Sequence, residues 1–247
     1  MKRIALLIPV LGLASCGFFG KSTEKAVVDW NGATRLEVNV SAGNVSVIRA
    51  SDPQVVFERD GQVLTTAERD GSTVRVTVKG AEATCYPCSA NVSIQLPQAL
   101  ELVVKAGNAD ISVINAATQV TLETGNGAIS VQGATNVNAK TGNGEVYAAN
   151  LNGSVTLTTS NGKVTLENAI LPSGSQNAIR SGNGDVRINN VTTQGGFVIQ
   201  GNSGTPEFLL TGFGLIKTTK SFTATRAGTN PTMLTLEVVN GGIQIKP

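Results

Sequence analysis

The sequence predicts an all-β, single-domain parallel β-solenoid with rungs of about 18 residues, and the main observation is a recurring turn built around Gly-Asn-Gly. The central residues of the five most regular turns are Asn108, Asn126, Asn143, Asn161 and Asn183. They are separated by 18, 17, 18 and 22 residues, and a nearly fixed period is typical of stacked repeats. Apolar residues alternate with polar ones on both sides of each turn, which is the pattern of half-buried β-strands.

The spacing of the apolar residues divides each period into two strands. Val120 and Leu122 precede one turn and Ile129 and Val131 follow it, so equivalent positions lie nine residues apart. One strand and one tight corner account for nine residues, and two such halves complete a rung. Because the next rung starts in the same phase, equivalent strands should stack in parallel about 4.8 Å apart. The regular rungs are predicted over residues 100–195.

The turn asparagines are predicted to form a structural ladder. Glycine and asparagine both tolerate positive φ at the corners, and an asparagine in every rung can bond its side-chain amide to the next one. In-register stacking also superimposes residues at equal distances from these asparagines. Three residues before them lie Lys105, Glu123, Lys140, Thr158 and Arg180, and two residues after them lie Asp110, Ala128, Glu145, Lys163 and Asp185. Opposite charges are mostly adjacent in both columns, which supports the register; chance alternation on a solvated face is the alternative.

Residues 1–16 are predicted to form an export signal, because a basic start is followed by an apolar run too short to span a bilayer. The stretch Leu13-Ala14-Ser15-Cys16 resembles the bacterial lipobox, in which the cysteine becomes the lipid-carrying first residue of the mature chain. The resemblance implies that Cys16 is lipidated and anchors the protein to a membrane. Gly17 stands where inner-membrane lipoproteins carry aspartate, which implies the outer membrane or cell surface. A plain secretory signal with an incidental cysteine is the alternative.

The rest of the chain is predicted to consist of a tether at residues 17–25 and one solenoid domain at residues 26–247. Asp-Gly turns at residues 60–61 and 70–71 predict hairpins, and a hairpin-rich segment is suited to cap the open N-terminal end of a solenoid. Phenylalanines concentrate in the last quarter and predict a bulkier C-terminal cap. The pattern at residues 238–245 predicts the last rung.

Charge and composition exclude several classes of function. Two of the 19 basic residues lie in the signal, which leaves 17 basic against 17 acidic residues in a formally neutral mature chain. The sequence lacks a Lys/Arg-rich run interleaved with aromatics, so nucleic acid is not an expected partner. The chain has no histidine, which excludes Ser-His-Asp catalysis and histidine-based metal sites. We therefore expect neither a cofactor nor a metal site.

Cys85 and Cys88, in the sequence Cys-Tyr-Pro-Cys, form the one local motif that suggests chemistry. A thiol oxidoreductase would place a helix after the pair, and a zinc site would need two further ligands, but neither context is visible. With Cys16 acylated, two cysteines remain for an oxidising compartment. They are predicted to form a structural disulfide, and redox activity is the alternative.

The residues of the predicted columns favour neither a polysaccharide-cleaving site nor a calcium site. Some β-solenoids cleave polysaccharides with acids on one face, and Asp110, Glu145 and Asp185 share a column. Lys163 interrupts that column, and Tyr147 is the one aromatic in the regular rungs, so an enzyme is not expected. Calcium-binding repeats need an aspartate at a fixed place in successive turns, whereas Ala128 and Lys163 stand there.

The lipobox and the repeated turns over residues 36–245 resemble the bacterial putative-adhesin β-strand-repeat family of unknown function, related to head GIN domain proteins. The resemblance implies an exported right-handed β-solenoid without known catalytic residues. It favours a surface- or envelope-anchored binding or adhesion module, with the membrane reached through the N-terminal lipid and an envelope protein or glycan as partner. The alternative is a structural element of the envelope that self-associates end to end.

Overall fold

The computed structural model describes residues 21–80, 88–202 and 206–247, and within these ranges it contains strands and no helix. The strands are β1 Ser22–Ala26, β2 Arg35–Ala42, β3 Val45–Arg49, β4 Gln54–Asp60, β5 Val63–Asp70, β6 Thr73–Gly80, β7 Ser89–Leu96, β8 Leu100–Asn108, β9 Ile111–Ile114, β10 Ala117–Asn126, β11 Ile129–Gln132, β12 Asn136–Asn143, β13 Val146–Asn152, β14 Val155–Asn161, β15 Val164–Leu171, β16 Gln176–Asn183, β17 Val186–Thr193, β18 Phe197–Gly201, β19 Glu207–Phe208, β20 Gly214–Lys217, β21 Phe222–Arg226, β22 Thr232–Asn240 and β23 Ile243–Lys246.

The strands form two sheets that enclose the core. Sheet A has the order β1-β4-β7-β3-β9-β11-β13-β15-β17-β23-β19, and sheet B has the order β20-β21-β18-β22-β16-β14-β12-β10-β8-β2-β6-β5. From β8 to β17 successive strands alternate between the sheets, and each pairs in parallel with its equivalent in the next rung. The predicted all-β class and the parallel stacking are therefore confirmed, and the fold is solenoid-like.

The strand phase follows the predicted alternation of apolar and polar residues. Val146 in β13 pairs with Ile129 on one side and with Val164 on the other, and all three side chains are buried. Glu145, one residue earlier, is exposed. The aliphatic side chains of both sheets thus point inward into one continuous core.

At the turns the glycine, and not the central asparagine, takes the left-handed conformation. Gly144 has a φ of 148°, whereas Asn143 before it is not among the residues with positive φ. A Cβ atom on Gly144 would overlap the carbonyl oxygen of Gly127 in the adjacent rung. The expectation that the asparagines use positive φ is wrong, because their side chains are held in the stack while the next residue makes the corner.

The N-terminal end is covered by strands, but one of the two predicted hairpins is wrong. β5 and β6 pair antiparallel around residues 70–71, as predicted. The turn at residues 60–61 instead connects β4 in sheet A with β5 in sheet B. β4 pairs antiparallel with β1 and β7, so its hydrogen bonds are satisfied within sheet A and no hairpin with β5 forms.

Strand structure begins within the segment predicted to be a tether. β1 pairs along its whole length with β4. Glu24 fixes this strand, since its carboxylate lies 3.0 Å from the Arg59 guanidinium and accepts a 2.9 Å hydrogen bond from the Thr65 hydroxyl. The sheet therefore starts at Ser22 and not at residue 26.

At the C-terminal end the last rung of the sequence is not the last rung of the stack. β22 lies between β16 and β18, and β23 lies between β17 and β19. The chain thus forms β18 and β19 one rung further out and then returns to fill the position beneath them with β22 and β23. Phe213 packs edge to face with Phe197 and Phe208, and the Arg226 guanidinium lies 5.6 Å from the Phe213 ring centre. This cluster forms the predicted aromatic cap.

Candidate functional site

The turn asparagines lie in one column on the surface between the two sheets. Asn126, Asn143, Asn161 and Asn183 each donate the side-chain amide to the side-chain oxygen of the preceding turn asparagine, starting with Asn108, at distances of 2.6–2.7 Å. Asn240 in β22 continues the column by donating to Asn183 at 2.7 Å. Because these side-chain hydrogen bonds run without a break from rung to rung, the column is a structural ladder that fixes the turns.

Two further ladders were not found from the sequence. Below the turns, the buried hydroxyls of Thr124, Thr141 and Thr159 each donate to a backbone carbonyl of the preceding rung at 2.9–3.0 Å. Within β15 and β17, Asn168 and Asn190 adopt φ near 50°, and Asn190 donates to Asn168 at 2.8 Å. The recurring threonine two residues before Asn126, Asn143 and Asn161 was a sequence signal for the first of these ladders.

The predicted charge columns are in register on the two sheets. Lys140 lies 3.7 Å from Glu123 on sheet B, and Lys163 lies 3.4 Å from Glu145 on sheet A. Asp110 accepts a 2.7 Å hydrogen bond from the backbone amide of Ala128 in the next rung. Exposed ion pairs of this kind contribute about 0–1 kcal/mol each, so these pairs agree with the predicted register but add little to stability.

A shallow, open groove on the outer face of sheet B crosses five neighbouring strands, β6, β2, β8, β10 and β12, and has a volume of about 630 Å³. We call it the lysine groove, because Lys79, Lys105 and Lys140 lie along it with Glu123 between the last two. Lys140 is the one lysine of the three with an ion pair in the described part of the chain. The groove therefore presents two lysine ammonium groups, those of Lys79 and Lys105, without a partner among the described residues.

Glycines form part of the floor of the lysine groove. Gly107, Gly125 and Gly142 occupy successive strands, and a Cβ atom on each would come within 2.5–2.8 Å of a carbonyl oxygen in the preceding rung. Side chains are therefore disfavoured there, and the surface beside the lysines lies at the level of the backbone. Asn39 and Ser41 on β2 add an amide and a hydroxyl to the lining.

A second polar cluster lies on sheet A around the side chain of Tyr147. The Tyr147 hydroxyl donates to Glu167 at 2.9 Å, and the Asn189 amide donates to the other oxygen of the same carboxylate at 3.0 Å. The hydrogen bond to Glu167 raises the pKa of the Tyr147 phenol above its ordinary value, and burial adds to the increase. The phenol remains protonated at neutral pH, and the cluster has its hydrogen bonds satisfied internally.

A model of the Toastrack DUF4097 family matches residues 33–246. The chain belongs to the Toastrack DUF4097 family. The turn motifs pointed to a family of strand repeats, and the match establishes which family it is; the relation to head GIN domains stays a prediction. No curated protein matches this Toastrack chain.

Several solved structures are similar to this Toastrack chain at low identity. A putative cell adhesion protein from Clostridium sporogenes is 15% identical, with 92% of this chain and 99% of that chain covered and a TM-score of 0.42. A putative adhesin from Bacteroides fragilis is 10% identical, with 92% and 96% covered and a TM-score of 0.40. A putative lipid binding protein from Parabacteroides distasonis is 9% identical, with 91% and 96% covered and a TM-score of 0.32.

Two predicted sites of this Toastrack chain lie outside the described residues. Cys16 and Cys85 are among the residues the structure does not describe, so the lipidation and the disulfide stay predictions. Cys88 lies at the start of a described range, with its sulfur 3.2 Å from the carbonyl oxygen of Gln62. Within residues 21–80, 88–202 and 206–247, no cluster of three His, Cys, Asp or Glu side chains is placed to hold a metal ion. None of the described residues belongs to a helix that could cross a membrane.

Proposed function

We propose that this protein is an envelope-anchored, non-catalytic binding or adhesion module that engages its partner through the lysine groove. The observation that carries the proposal is the pair of lysines, Lys79 and Lys105, for which residues 21–80, 88–202 and 206–247 supply no partner, on a face where other cations are paired. On the same sheet, Arg35, Arg75 and Arg180 each bond a carboxylate at 2.6–3.1 Å. Charged groups left without an internal partner on a rigid surface are available to a ligand.

The non-catalytic part of the proposal is supported by the contacts of the acidic column on sheet A. Asp110 and Asp185 each accept a hydrogen bond from a backbone amide of the next rung, at 2.7 and 3.0 Å. Glu145 lies 3.4 Å from Lys163. These carboxylates hold neighbouring rungs together, which accounts for the column without an acid–base reaction.

The lipobox supports attachment of the module through Cys16, on the outer membrane or cell surface. Cells that produce the full chain, cells that produce Cys16→Ser and cells that lack the chain can be compared for retention on glycan-coated and protein-coated surfaces. We expect retention and incorporation of a fatty-acid analogue for the wild type alone. Equal labelling of wild type and Cys16→Ser would refute the anchor, and equal retention of all three strains would refute the adhesion module.

A structural scaffold that associates end to end is the second candidate, and the edge strand β20 favours it. β20 lies at the end of sheet B in the described part of the chain, and all four of its residues are exposed, with Ile216 at 70%. An unpaired apolar edge can template pairing with another chain. Sedimentation of the full chain in detergent discriminates the two candidates, since polymers that Ile216→Lys dissolves would favour the scaffold and a monomer the binding module.

A further inference from the structure

We propose that the lysine groove binds a linear acidic polysaccharide that lies along the stacking direction of the rungs. The inference rests on the proposed binding function and names the chemical class of its ligand. Its three elements are the charge of the groove, the shape of its floor and the spacing of its lysines.

The charge of the groove selects an anion. Lys79, Lys105 and Lys140 outnumber Glu123, which leaves a local excess of two positive charges on a mature chain that is formally neutral as a whole. Lys140 and Glu123 are both more than half exposed, so their 3.7 Å contact is screened and easily exchanged for a ligand contact. The groove is also far from enclosed, so no single anion would be desolvated there. Affinity must come from several weak contacts to one chain.

The shape of the groove suits a polymer. Its floor at Gly107, Gly125 and Gly142 follows the stack without a side chain standing in the way. Asn39 and Ser41 supply an amide and a hydroxyl beside the lysines, and such groups hydrogen-bond to sugar hydroxyls. A flat channel with polar groups at intervals matches an extended glycan better than it matches a compact molecule, which requires a concave pocket.

The spacing of the lysines suits a repeating charge. Lys105 in β8 and Lys140 in β12 lie in the same column with one strand between them. At about 4.8 Å per strand, their backbones are about 10 Å apart along the stack. Two sugar rings span a comparable length, so acidic groups on alternate sugars would meet successive lysines. Glu123 lies midway between the lysines and would face the uncharged sugar.

The opposite charges of Lys105 and Glu123 allow a test in which variants shift affinity in opposite directions. The full chain in detergent micelles is titrated with fluorescent hyaluronan, which carries one carboxylate per disaccharide, and with neutral dextran of matched length. We expect binding to hyaluronan that weakens with salt, and no binding to dextran. The double variant Lys79→Gln/Lys105→Gln should lower the affinity for hyaluronan by about tenfold, and Glu123→Gln should raise it several-fold. Lys217→Gln/Lys220→Gln, at two exposed positions outside the groove, removes the same number of charges, so it is the matched control and should leave the affinity unchanged.

The failure of this inference can be told apart from the failure of the proposed function. Equal loss of affinity in Lys217→Gln/Lys220→Gln and in Lys79→Gln/Lys105→Gln would show general attraction by positive charge and would overturn the inference. Dextran that binds as tightly as hyaluronan would overturn the acidic ligand while leaving a glycan-binding module. Absence of binding to both polysaccharides would overturn the inference, and the function would still stand if producing cells are retained on protein-coated surfaces.

Discussion

Each inward side chain of the regular rungs packs in a column with its equivalents above and below. Val146 illustrates this, since Ile129 and Val164 are its direct cross-strand neighbours and each is itself buried. The core is thin, and an unfavourable residue in it cannot be accommodated by a register shift of its strand. A shift of one residue would turn every apolar side chain of that strand outward. A destabilising substitution at one inward position therefore weakens the packing of its rung against both neighbouring rungs.

Val146→Asp is predicted to destabilise the fold by several kcal/mol, because it buries an unpaired carboxylate between two apolar neighbours. Glu145→Asp is the matched control at the preceding, exposed position and keeps the charge. It should change the free energy of unfolding by less than about 0.5 kcal/mol. Urea unfolding of both variants measures the difference. Similar midpoints for the two would contradict the strand phase and the charge columns with it.

At the scale of the element, the turn is the unit that sets register. It combines an exposed amide ladder, a buried hydroxyl that bonds to the preceding rung and a glycine packed against the backbone below it. These three contacts act between the same two rungs within a few residues. A turn of this kind tolerates neither a lost hydrogen bond nor an added methyl group without displacing the neighbouring rung.

Gly144→Ala is predicted to destabilise the protein more than Gly71→Ala does. Both glycines have positive φ, so both alanine variants are strained, but a Cβ at Gly71 would meet nothing within 4 Å. At Gly144 the same atom would overlap the carbonyl oxygen of Gly127. Strain from φ alone costs about 1 kcal/mol, and the steric overlap adds to it. Thermal unfolding of the two variants compares them, and equal losses would mean that rung packing is looser at this corner.

How much could be predicted depended on how local the signal was. The strand phase at Val146 and the stack around Asn143 follow from spacings within one or two rungs, so both could be predicted from the sequence. The position of β22 was not, since residues 232–240 and 197–201 both fit a rung and no local pattern says which stacks on β16. Lys105 and Lys140 were assigned to one column, but Lys79 was missed because the place of β6 beside β2 depends on long-range pairing.

At the scale of the whole molecule, the two ends of the solenoid share one arrangement. At the N-terminal end, β6 and β7 stack outside β2 and β3, while β8 and β9 stack on the other side. At the C-terminal end, β18 and β19 lie outside β22 and β23. At the N-terminal end the connection from β7 to β8 passes the rung formed by β2 and β3. At the C-terminal end the connection from β17 to β18 passes the position that β22 and β23 fill later. The terminal rungs are thus tied to the interior by chain connections as well as by packing, which opposes fraying from the ends.

The C-terminal crossover leads to a prediction that separates position in the sequence from position in the stack. Leu236 lies close to the end of the chain, yet it is fully buried in β22 and pairs with Ile179 in β16 and with Gly201 in β18. Leu236→Asp is predicted to cost several kcal/mol and to expose the amides of β16 and β18 together. Ile216→Asp, on the exposed edge strand β20, should shift stability by less than about 0.5 kcal/mol. Urea unfolding gives the cost, and hydrogen exchange locates it. A solenoid stacked in sequence order would lose only its last rung in Leu236→Asp, so full retention of protection in β18 would contradict the inserted position of β22.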